Sequence, residues 1–282
     1  MQLARKSWPQ QPRHSRESTW NCKASNDEVE KEFQANSKTS TRGGNDAAVV
    51  TDDFDMAKAA HLVAMASFAH SAQVCMATKR VYVQDSMYDE FMRHFVAIVK
   101  TFKSGEGFCS PIQNKIQYDK VRSIYEDCDK QKYEFAIGSG KVPELEPGAG
   151  FYLSPAIVAK PPEQSRVVQE EPFGPIIPVL TWQDDEDVIS RVNDTHTGLG
   201  ATVYCRDEKR AWKIASSLET GSVWVNGGLK MDPVALFGAH KQSGIGGELG
   251  PLGLTYYTDT RTVTYWKEAP VQKLKSDGAL FA

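Results

Sequence analysis

RVYVQDSMYDEFMRHFVAIVKTF, residues 80–102, changes its hydrophobic period once, and that change decides the fold class. RVYVQ (80–84) is short, β-branched and aromatic, and reads as a strand. From Ser86 onward, Tyr88, Phe91, Met92, Phe95, Val99 and Phe102 recur at three- and four-residue intervals, so they share one face of a helix. Ser86 with Asp89 three residues later predicts a capping-box start. A strand that runs straight into a helix is the first part of a βαβ unit, and the same alternation extends in both directions.

Upstream, DDFDMAKAAHLVAMASFAH (52–70) places acids in its first turn and then aliphatic residues at helical spacing. Downstream, helices are predicted over 112–128, 184–194 and 207–219, and strands over 150–159, 175–182, 201–205 and 222–226. Strands separated by helices of this length require crossover connections. The expectation is therefore α/β, a mostly parallel sheet with crossover helices. TRTVTYWK (260–267) alternates Thr with larger side chains outside that rhythm and predicts an edge strand open to pairing.

The 282 residues carry a net charge of -3, which excludes an electrostatic case for nucleic acid or an anionic membrane surface. Apolar runs such as IIPVL (176–180) are far too short to span a bilayer. Five cysteines occur, at 22, 75, 109, 128 and 205. Their odd number, wide spacing and lack of a CxxC pair argue against a disulfide framework and against a metal site. No secretory h-region is visible, so a cytoplasmic location is expected. The basic, acid-free start is only a weak transit-peptide signal, and a mitochondrial location is less favoured.

Residues 1–42 are polar and aperiodic, which predicts a disordered or foreign arm. Residues 43–259 read as one catalytic domain, and 260–282 as a C-terminal oligomerisation strand and tail. Taken singly, the chemistry-bearing residues are ambiguous. A free cysteine such as Cys75, in SAQVCMATKR (71–80), is most often buried and inert. Glu171 could be a surface acid ahead of a turn, Phe173 core packing, and Gln117 and Lys120 solvated helix residues.

Six segments in order change those odds: GGNDAAVV (43–50), QVC (73–75), EEPFGPI (170–176), NDTHTGLGA (193–201), GSVWVN (221–226) and FGAHKQSGIGGELG (237–250). Over roughly residues 43–267 the chain resembles the C-terminal catalytic portion of the aldehyde dehydrogenase superfamily. The resemblance implies oxidation of an aldehyde to a carboxylic acid, with NAD or NADP as cofactor. Cys75 falls at the nucleophile, whose thiolate forms a thiohemiacetal and then a thioester; thiolates suit both steps because they attack and leave well. Its backbone N–H falls where the family binds the developing oxyanion.

Glu171 falls where the family's carboxylate accepts from the nicotinamide ribose hydroxyls, and Phe173 where an aromatic side chain supports the nicotinamide ring. Gln117 and Lys120 match positions near the same ribose. Phe237 falls in the substrate pocket, and Asn226 at a structural support of the active-site loops.

Departures from the family pattern bear on activity. Thr41 stands where the family has its glutamate general base, and a threonine hydroxyl cannot take a proton from water near neutral pH. Ala72 stands where the family has a glycine, which costs about 1 kcal/mol if φ is positive there. Ala239 and Gly247 replace the usual Gly and Arg. Only about forty residues precede GGND, with no strand–Gly-rich turn–helix pattern, so the cofactor-binding half is expected to be largely missing and the chain truncated and impaired.

Two alternative functions follow. One is a non-catalytic partner or regulator that pairs with a full-length paralogue, or a homo-oligomer, through 260–267. The other is a cofactor-independent esterase acting through Cys75.

Overall fold

A computed structural model describes residues 40–41, 43–107, 109–142, 150–259 and 261–267. Of the arm expected over 1–42, residues 1–39 and 42 lie outside the described residues, as does the tail beyond 267.

Seven strands form one sheet: β1 (Ala47–Val50), β2 (Arg80–Gln84), β3 (Glu134–Ile137), β4 (Ala156–Ala159), β5 (Ile176–Trp182), β6 (Gly200–Tyr204) and β7 (Ser222–Val225). Their order is β3-β4-β5-β2-β1-β6-β7. Every neighbouring pair is parallel except β3 with β4. The expected α/β architecture with a mostly parallel sheet is what forms.

The sheet is covered on both faces, and strand alternation assigns each residue to a face. Ala48 and Val50 of β1, with Val81 and Val83 of β2, pack under α1 (Met56–Phe68) and α2 (Tyr88–Val99). Ala47, Val49, Tyr82, Ala201 and Val203 face the other side, against α3 (Lys115–Lys130), α5 (Asp185–Asn193) and α6 (Glu208–Ser217). The four-residue α4 (Arg166–Gln169) leads towards β5 on that side. The α2 face predicted from periodicity is the buried one: Tyr88, Phe91, Met92, Phe95 and Val99 are all in the core.

The capping box at Ser86 does not form. A 3-10 turn over Asp85–Met87 takes up that serine, and α2 begins at Tyr88 without a side-chain cap. Caps do form elsewhere: Asp55, Asn114, Asp184 and Asp207 each accept from a backbone N–H of the first turn of the helix that follows.

The strand predicted at the C-terminal end does not form within the chain. Residues 261–266 carry no strand, and Val263, Tyr265 and Trp266 are exposed. Alternation is necessary for a half-buried strand but insufficient, because the backbone also needs a ladder partner. Among the described residues no helix is long and apolar enough to cross a membrane.

Candidate active site

The quoted motifs are far apart in sequence yet lead into adjacent strands. EEPFGP precedes β5, QVC precedes β2, GGND precedes β1, and NDTHTGL precedes β6. Because those four strands are parallel neighbours, the loops meet at one edge, at the amino ends of the strands. Open α/β sheets more often use the opposite edge.

The nucleophile loop leaves α1 through a short turn in which His70, Ser71 and Ala72 all have positive φ (52°, 55° and 59°). The strain expected at Ala72 is therefore present and is shared by three consecutive residues, none of them glycine. Side chains hold the loop in place. Ser71 Oγ donates to the Ser110 carbonyl at 2.6 Å, Gln73 Nε2 donates to the Pro111 carbonyl at 3.0 Å, and Gln73 Oε1 accepts from the Gln113 N–H at 2.8 Å.

Cys75 is partly exposed and its thiol is free, whereas Cys109, Cys128 and Cys205 are buried. Burial raises the pKa of those three thiols, that of Cys128 to about 12, which makes them poor nucleophiles. Among the described residues Cys75 is the accessible thiol.

A lysine that sequence reasoning missed organises the surroundings. Lys79 is buried, its side chain 1 % exposed. Its ammonium donates to the carbonyls of Val74 (2.8 Å), Cys75 (2.9 Å) and Ala77 (3.1 Å), and lies 3.3 Å from Glu171 Oε1 and 5.7 Å from the Phe173 ring centroid. A lysine usually reads as a solvated side chain. The available signal was its position among small and apolar residues, immediately ahead of a buried strand.

Glu171 and Phe173 lie on the loop before β5, with Phe173 at φ 53°. Gln117 Nε2 donates to the Pro172 carbonyl at 2.9 Å, and Lys120 Nζ to the Glu171 carbonyl at 3.0 Å. Both α3 side chains thus clasp the backbone of the Glu171 loop. Glu171 Oε1 is buried and has no hydrogen-bond partner among the described residues.

The GGND segment forms the floor. Gly43 lies against the Glu171 carboxylate, and its carbonyl accepts from Ser243 Oγ at 3.0 Å. The same Ser243 Oγ accepts from the Gly198 N–H at 2.9 Å, which links three motifs through one hydroxyl. Asp46 is fully buried; loss of solvent raises its carboxyl pKa to about 7, and the nearby Lys79 ammonium opposes that rise. The backbone of Thr41 pairs with Gly244.

Asn226 stands apart from this cluster, whereas Phe237 lies near the amino end of β7. Phe237 lines a cavity of about 480 Å³ with Ser222, Trp224, Met231 and Leu236. Asn226, at φ 57°, follows the carboxyl end of β7; its amide accepts from the Cys205 N–H at 2.9 Å and donates to the Cys205 carbonyl at 2.8 Å. It therefore supports the end of β6 opposite the Cys75 edge. Gly247 pairs with Gly238, and a side chain there would run into Leu236. Among the described residues no cluster of His, Cys, Asp and Glu could hold a metal ion.

A model of the aldehyde dehydrogenase family matches residues 27–263. The chain belongs to that family. It is similar to an aldehyde dehydrogenase (NAD(P)+) of Saccharomyces cerevisiae, with 34 % identity over 237 residues covering 78 % of this chain and 45 % of the yeast protein. Aldehyde dehydrogenase 1A1 of Homo sapiens is 33 % identical, over 79 % of this chain and 44 % of the human protein. A crystal structure of indole-3-acetaldehyde dehydrogenase complexed with NAD+ is similar with a TM-score of 0.73 and 31 % identity, over 78 % of this chain and 45 % of the other. The chain thus spans about half the length of the curated aldehyde dehydrogenases it matches.

Proposed function

We propose that the chain carries the catalytic cysteine of an NAD(P)+-dependent aldehyde dehydrogenase, with Cys75 as the nucleophile. The observation that carries this reading is the placement of the accessible Cys75 and the cofactor-side Glu171 around one buried ammonium. The Cys75 thiolate adds to the aldehyde carbon and forms a C–S bond, and the carbonyl oxygen takes the negative charge beside the Cys75 N–H. Hydrolysis of the later thioester returns the thiol and releases the acid.

The residues fit the ribose side of NAD(P)+. Glu171 Oε1 is buried without a hydrogen bond and suits a hydroxyl donor, and the aromatic face of Phe173 is close by. When bound, the cofactor supplies the hydride acceptor. Gln117 and Lys120 serve it indirectly, by fixing the backbone of the Glu171 loop. The cavity at Phe237 is the proposed pocket for the aldehyde side chain.

Thr41 gives this chain no carboxylate at the family's base position, so the acyl-enzyme should form faster than it is hydrolysed. The test is p-nitrophenyl acetate. The expected result is one equivalent of phenolate per chain, an acetyl group on the Cys75 peptide, and little turnover afterwards. No burst, or a burst that persists in Cys75→Ser, overturns the assignment of the nucleophile. Sustained turnover that depends on Cys75 would move the reading to a cofactor-independent esterase.

A second reading rests on the exposed alternation of Val263, Tyr265 and Trp266. In this reading the segment pairs by sheet extension with a second aldehyde dehydrogenase chain. Sedimentation at micromolar concentration, alone and mixed with a full-length relative, tests it; a monomer in both conditions rejects it.

A further inference from the structure

We propose that Lys79 is a positioning residue whose ammonium acts as a tethered cation in a carbonyl cage, locking the Cys75 loop to the Glu171 loop. This inference deepens the function proposed above and rests on that reading for its catalytic meaning.

The chemistry of the group requires such a cage. An ammonium has three N–H donors and no acceptor, and a buried one is tolerated only when its donors and its charge are both satisfied. Here Val74, Cys75 and Ala77 supply three carbonyl acceptors at 2.8, 2.9 and 3.1 Å, which use all three donors. Glu171, at 3.3 Å, supplies countercharge without being a hydrogen-bond partner of the ammonium.

Two consequences follow. The three carbonyls belong to the turn that presents Cys75, so their common donor fixes that turn's curvature. Because the donors are spent on backbone, the Glu171 carboxylate is attracted to Lys79 while its Oε1 takes no hydrogen bond from the ammonium. One cation therefore sets the separation of the two loops.

The test uses the full chain and does not depend on turnover. In Lys79→Ala the turn loses its common donor and no longer holds the thiol in one presented geometry, so Cys75 alkylation by iodoacetamide at pH 7.5 should fall on the order of tenfold. It should recover saturably with n-propylammonium, which replaces the carbons and nitrogen that the substitution removes, and not with tetramethylammonium, which has no N–H. An alkylation rate equal to or above wild type in the folded variant, or recovery that does not distinguish the two amines, overturns the proposal.

If the variant does not fold, the wild-type chain decides. With ¹⁵N-labelled lysine, a slowly exchanging ammonium signal should appear and shift when Cys75 is alkylated; its absence also overturns the proposal. If these results hold while the ester burst fails, only the functional reading falls.

Discussion

Gly43 and Glu171 are in direct apposition: a Cβ on residue 43 would lie 2.0 Å from Glu171 Oε2. The glycine is needed for space rather than for backbone freedom. Its hydrogen side is what lets a carboxylate lie flat against the floor of the site.

Gly43→Ala should therefore move the carboxylate and leave the fold intact, because the tip of a glutamate is free to swing. Overpacking of this kind should cost about 1 kcal/mol in urea unfolding. Affinity for nicotinamide mononucleotide should fall about tenfold, as expected for one lost charge-assisted hydrogen bond. Unchanged affinity in a titration would separate Glu171 from ligand binding.

Ala72→Gly should stabilise the chain. Ala72 has φ 59°, where a Cβ is strained, and the relief should exceed the extra freedom glycine gains when unfolded. A net gain of roughly 0.5 kcal/mol is expected from denaturant midpoints. A loss would mean that the methyl packs more favourably than the backbone strains.

Asp46 makes stability fall as pH rises. Its folded pKa, about 7, lies above the unfolded value of 3.8, so the native state holds the proton more tightly. The contribution is complete below pH 4 and is lost as pH rises from about 4 through 7, up to about 4 kcal/mol in all. Asp46→Asn should flatten this slope, and at pH 8 it should be the more stable chain. Parallel slopes for the two proteins in pH-dependent urea unfolding would refute the assignment.

Asn226→Gly should keep the positive φ and lose both hydrogen bonds to Cys205, which costs about 2 kcal/mol. Asn226→Ala should be worse, because alanine resists φ 57°. In both variants Cys75 alkylation should stay within about twofold of wild type, as for independent sites. A larger change would connect the two ends of the sheet.

The sheet was legible at its longer buried strands, whereas Ala47–Val50, four residues shortly after a glycine pair and buried throughout, was read only as part of a motif. Arg80–Gln84 and Ile176–Trp182 stand out as β-branched or apolar runs that no helix period explains. Glu134–Ile137 escaped because it is a half-buried edge strand of four residues with an acid at its start. The Ser86 capping box misled because a local hydrogen-bonding pattern is compatible with a 3-10 turn as well as with a helix start. In the site, Cys75, Glu171 and Phe173 could be placed from motif order. Lys79 could not, because its role arises from carbonyls that only the folded turn brings together. Gln117 and Lys120 were expected near the same ribose as Glu171; their hold on the backbone of the Glu171 loop is a tertiary fact that no spacing encodes.

The hydrogen bond from Ser243 to the Gly43 carbonyl joins residues 200 positions apart. A contact of such long range is completed late on the ribosome and slowly in refolding. Cys75 emerges well before Glu171 and long before Ser243, so during synthesis its thiol is exposed to oxidants before its setting exists. The order of translation thus opens an interval of chemical vulnerability, which a reducing environment or a bound chaperone would have to cover.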